Sequence, residues 1–138
     1  MGLRLKGWES RLAAFVETAR EVPFKWGEND CVTLAADVTE AIAGFDFMAD
    51  FRGTYRDRRG AARAIRDRGG LASHLLALGF ARTDDRRLLR GDVVLTVDAA
   101  GEDTLRVYIG GSFIGPGESG LEFLDKVVIV KAFTLCRP

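Results

Sequence analysis

The stretch Pro23-Phe24-Lys25-Trp26-Gly27-Glu28-Asn29-Asp30-Cys31 places a cysteine directly ahead of Val32-Thr33-Leu34-Ala35-Ala36-Asp37-Val38, which reads as a helix. A cysteine in the first turn of a helix meets the free N–H groups and the positive end of the macrodipole, and both favour thiolate over thiol. Cys31 is therefore a candidate nucleophile. Its chemistry would be attack on an amide carbonyl, with the first-turn N–H groups receiving the oxyanion. The plain alternative is a small buried hydrophobe at a helix start, the commonest fate of a free cysteine.

A cysteine nucleophile needs a base, and the chain contains one histidine, His74. His74 lies three residues after Leu71 and four before Leu78, so it shares or borders the apolar face of a short helix and reads as structural. Asp30 is explained as a helix cap whose carboxylate accepts N–H bonds. Trp26 is either a wall of a substrate cleft or a core aromatic that fixes the loop. The Tyr55 hydroxyl could reach Cys31 or close the edge of the core. Cys31 and Cys136 match no metal-ligand spacing, and no metal or cofactor is expected. The glycine-rich run from Gly110 to Gly117 lacks the Lys-Ser/Thr ending of a phosphate-binding loop.

The elements that must position these residues come in two blocks. Trp8, Leu12, Phe15, Val16 and Ala19 recur at helical spacing over Trp8 to Glu21, and Pro23 ends that helix. The second helix starts after a cap at Asn29 or Asp30. It carries the stripe Cys31, Leu34, Ala35, Val38, Ile42 and stops at Gly44. Residues 45–55 read as an ordered loop, Gly60 to Arg68 as a basic helix, and Leu71 to Leu78 as a short helix closed by Gly79. Thereafter Asp92 to Val97, Leu105 to Ile109, Ser112 to Ile114, Leu121 to Leu124 and Val127 to Phe133 read as strands. If the last and most apolar of these formed a sheet edge, it would be a surface for strand addition. The expectation is one α+β domain over residues 1–138, with helices at about 8–79 packed on one face of a small antiparallel sheet at about 91–135.

Composition narrows the function classes. The chain has 138 residues, and twenty Lys and Arg balance twenty Asp and Glu, so no global field steers it to nucleic acid or an acidic membrane. No apolar run is long enough to span a membrane, and Met1 to Lys6 is charged too soon for a secretion signal, which predicts synthesis in the cytoplasm without membrane insertion. Charge is instead local: Arg52, Arg56, Arg58, Arg59, Arg63 and Arg66 crowd one segment, with Tyr55 its only ring. That segment could bind a nucleic-acid backbone, but without interleaved aromatics a solvated face or a protein interface fits it better.

Trp26-Gly27, Asp30-Cys31, Gly91-Asp92-Val93-Val94-Leu95 and Val107-Tyr108-Ile109-Gly110 stand in an order that resembles the NlpC-type papain-like cell-wall cysteine peptidases. The resemblance covers most of the chain and implies an NlpC-like papain-type fold with Cys31 in the nucleophile's place. In that family the strand ending in the Tyr-Ile-Gly pattern begins with the catalytic histidine, and here Thr104 occupies its position. The match is closer to small phage proteins of the tail gene region, which share the Phe-x-Trp-Gly-x-x-Asp-Cys start, the Gly53-Thr54-Tyr55 segment and Gly115-Pro116-Gly117. It implies a phage or prophage tail-associated protein, at the tail tip or in tail assembly, that binds other tail proteins and is carried in the virion. An active hydrolase of peptidoglycan peptides using Cys31, and a basic nucleic-acid-binding module, are the competing expectations.

Overall fold

The computed structural model describes residues 4–135; Cys136 and the first three residues lie outside them. Four helices come first: α1 (Trp8–Ala19), α2 (Cys31–Ala43), α3 (Arg58–Arg66) and α4 (Leu71–Ala77). Six strands follow: β1 (Ala81–Thr83), β2 (Val93–Val97), β3 (Asp103–Tyr108), β4 (Phe113–Gly117), β5 (Gly120–Leu124) and β6 (Ile129–Thr134). They form one antiparallel sheet in the order β1-β6-β2-β3-β4-β5. The expected α+β class with a C-terminal antiparallel sheet is present among the described residues.

α2 is the central helix, and its two ends are fixed by local chemistry. Asp30 is its N-cap, accepting from the N–H groups of Val32 and Thr33 at 3.0 Å, while the Thr33 hydroxyl takes the Asp30 N–H at 2.7 Å. Gly44 ends it in the left-handed conformation, φ 83°. The helix packs on α1 along one side and on β3 and β4 along another. That double contact buries Val32, Thr33, Ala36 and Thr39 as well as Leu34, Ala35, Val38 and Ile42 of the expected stripe, while Cys31 at its head is half-buried.

Alternation along the central strands separates two apolar layers. Val93, Leu95, Leu105, Val107 and Ile114 join the helices in the main core. Val94, Phe113 and Ala132 form a smaller cluster with Tyr108, which places them on the other face. The last strand departs from the conditional expectation of a free edge. β6 lies between β1 and β2, so Ala132 and Phe133 are paired on both sides. Its partner β1 is a three-residue strand, too short to show a period in the sequence.

The start of the sheet is tied to the N-terminal segment by a buried ion pair. Arg4 donates to Asp92 at 2.6 Å with both side chains fully buried. Asp92 also accepts from the Leu89 N–H at 2.8 Å and the Thr134 hydroxyl at 2.5 Å. The Arg4 guanidinium lies over the Trp8 ring, 4.3 Å from its centre. The Gly-Asp that opens β2 therefore works as an anchor for three segments of chain.

Candidate functional site

Asp30 is the hub of the loop that delivers Cys31. Its carboxylate is 1% exposed and, besides the two cap bonds, accepts from the Gly27 N–H at 2.9 Å and from the Tyr55 hydroxyl at 2.7 Å. Gly27 has φ 79°, and a Cβ there would collide with the Tyr55 carbonyl, so glycine is required where the two loops touch. Asn29 holds the same loop from the other side by donating to the carbonyls of Val22 and Pro23. Every bond to the Asp30 carboxylate comes from a neutral donor.

This arrangement reverses the expected electrostatics of Cys31. The sulfur lies against the Leu105 main chain on β3, and burial pushes the thiol up from 9.0 to about 11. The hydrogen bond with the Leu105 main chain and the charge of Arg106 work in the opposite direction without overcoming burial, while the Asp30 carboxylate raises it further. The Val32 and Thr33 N–H groups that were to stabilise a thiolate are already spent on Asp30. Cys31 is half-buried, and its surroundings favour thiol over thiolate.

None of the candidate partners supplies a proton acceptor to it. Thr104 sits opposite Thr96 on β2, and the two hydroxyls share a hydrogen bond of 2.6 Å. Leu105 and Val107 enter the helix-covered core, so the alternating Thr104 turns to the opposite face of the sheet. Tyr55 is also unsuitable, since burial and the Asp30 carboxylate push its hydroxyl far above the usual phenol range. The Tyr55 hydroxyl reaches Asp30 rather than the sulfur.

His74 packs among aromatic rings. It is 8% exposed on α4, with the rings of Phe47 and Phe51 edge-on at 6.0 and 6.2 Å. Burial, with help from the Arg68 charge, holds it below its ordinary value of 6.5, against a hydrogen bond to the Phe47 main chain. Its Nε2 has no hydrogen-bond partner among the described residues. Among those residues no group of three or more His, Cys, Asp or Glu side chains could hold a metal, and no helix is long and apolar enough to cross a membrane.

The model of a family described as a domain of unknown function, DUF6950, matches residues 3–135. The chain belongs to the DUF6950 family. No curated protein matches it. The Asp30 hub, the Cys31–β3 contact and the Arg4–Asp92 anchor all fall inside the stretch that defines membership.

The arginine segment divides in two. Arg52 departs from the expected outward patch: it is clamped between Asp46 at 2.7 Å and Asp37 at 2.6 Å, and it ties the loop to α2. Arg58 reaches Glu102 at 2.9 Å in an exposed pair. Arg56, Arg59, Arg63 and Arg66 make no hydrogen bond or ion pair through their side chains among the described residues. Trp26 is half-buried, packs edge-on against Phe24 with ring centres 4.8 Å apart, and lines a cleft of about 510 Å³.

Proposed function

We propose that this protein is a non-catalytic binding module on an NlpC-like papain-type scaffold, acting in a phage or prophage tail through contacts with neighbouring tail proteins. The observation that carries the reading is the state of Cys31. The cysteine stands at the head of the central helix and packs, half-buried, against the core, yet its thiol is pushed up to about 11, and among the described residues neither Thr104 nor Tyr55 directs its hydroxyl to it. The order of motifs along the chain supports the scaffold, and the unpaired Arg56 that lines the cleft supports a role in protein contact.

A thiol at about 11 is one part in roughly ten thousand thiolate at neutral pH, and an amide leaving group still needs a proton donor. Peptide cleavage through Cys31 would demand a different arrangement of the loop, of β3, or of both. The test is a digestion of purified peptidoglycan, analysed for released peptides, with the native protein and Cys31→Ala side by side. No release by either is expected, together with recovery of the protein in purified tail particles. Release by the native protein that Cys31→Ala abolishes would overturn the reading, and so would a protein found only free in lysates.

A further inference from the structure

The loop that carries Trp26 and the loop that carries Tyr55 meet along a cleft of about 510 Å³, bounded by Phe24, Lys25, Trp26, Glu28, Gly53 and Arg56, with Tyr55 as its floor. Two hydrogen bonds tie its walls together: the Tyr55 hydroxyl donates to Asp30, and the Gly53 N–H donates to the Gly27 carbonyl at 2.9 Å. The apolar side is the Phe24–Trp26 pair.

The charges of the cleft do not cancel. Lys25 and Glu28 pair with each other at 2.7 Å across its rim. Arg56 has no ion pair, side-chain hydrogen bond or ring contact among the described residues, so the cleft presents one unspent guanidinium beside two aromatic rings. A guanidinium fork matches a carboxylate in two parallel bonds, and the rings match an apolar side chain next to it. One net positive charge fits one carboxylate. It is a poor match for a nucleotide, whose several phosphate charges call for more cations or a cradle of N–H groups.

We infer that this cleft binds a short peptide segment of a partner protein, taking an acidic side chain on Arg56 and the adjoining aromatic or aliphatic side chain against Trp26 and Phe24. The inference rests on the protein-binding reading above and adds where the contact is made and with what chemistry. Neither Asp30 nor Cys31 lines the cleft, so its test is separate from any reaction at the thiol.

The experiment is a two-dimensional ¹H–¹⁵N NMR titration of the full chain with the capped pentapeptide Gly-Phe-Glu-Phe-Gly and its counterpart with Gln in place of Glu. The acidic peptide is expected to shift the Trp26 indole N–H and the amides of Gly53 and Arg56, with saturation in the micromolar to millimolar range. The Gln peptide, and the acidic peptide on Arg56→Gln, should bind at least tenfold more weakly. Arg59→Gln, on α3 and outside the cleft, should bind as the native chain does, and a native-like spectrum of Arg56→Gln separates lost binding from lost fold.

Several results overturn the inference: no shifts at millimolar peptide, equal binding of both peptides, shifts centred on Arg59, Arg63 and Arg66, or stronger shifts of the same signals by ATP. Failure here with no peptidoglycan cleavage would leave a binding module that uses another face. Cleavage dependent on Cys31 would instead remove the non-catalytic reading itself.

Discussion

Tyr55 and Arg56 are neighbours in the chain with opposite surroundings. Tyr55 is 7% exposed and its hydroxyl is committed to Asp30; Arg56 stands in solvent at the mouth of a cleft with its charge unpaired among the described residues. The inward region, Gly27, Asp30, Thr33 and Tyr55, uses its polar groups on one another. The outward region, Trp26 and Arg56, keeps a ring face and a charge available. The difference teaches where to look for function in a scaffold whose motif residues resemble those of an enzyme. Polar groups satisfied inside the fold hold the architecture, and the groups left over at its rim are the ones that can recognise something else.

The comparison breaks first at its centre. Asp30→Ala leaves two first-turn N–H groups, the Gly27 N–H and the Tyr55 hydroxyl without their acceptor, and should cost on the order of 3–4 kcal/mol in urea unfolding. A loss under 1 kcal/mol would mean that the hub is not what holds the loop. Tyr55→Phe removes one bond to a charged acceptor while keeping the ring, and about 2 kcal/mol is expected.

A smaller effect comes from His74, which is held below 6.5 by burial. Above that value the imidazole is neutral in both folded and unfolded chains. Below it the unfolded chain takes up a proton that the fold resists, so stability should fall as pH drops, by up to about 1.4 kcal/mol per unit. His74→Gln should flatten that slope between pH 6.5 and the lower folded value. The smallest effect sharpens the contrast: Arg56→Gln should change stability by less than about 0.5 kcal/mol, because nothing in the described structure uses that charge.

Much of the inward region was legible from sequence because its signals are local. The Asp30 cap precedes its own N–H partners by two and three residues, and Gly44 ends α2 where the stripe runs out. The Tyr55–Asp30 bond spans 25 residues and the Arg4–Asp92 bond spans 88, and no periodicity encodes a partner so far along the chain. The same distance concealed the Arg52 clamp, where an arginine that looks solvated in a basic run is drawn in by Asp37 and Asp46. The placement of β6 inside the sheet is not legible in the sequence because its neighbour β1 is three residues long and mostly exposed. The rise of the Cys31 thiol to about 11 comes mainly from desolvation within the packed fold, a tertiary effect that the helix start alone does not encode.

The most direct test of the non-catalytic reading is the rate at which Cys31 reacts with iodoacetamide as a function of pH, followed by mass spectrometry of the peptides containing Cys31 and Cys136. With its thiol pushed up to about 11, Cys31 should react no faster than Cys136 at neutral pH, at about one hundredth the rate of a thiol at 9.0, and keep accelerating toward pH 11. Fast alkylation of Cys31 that already levels off near pH 7, well ahead of Cys136, would contradict the account.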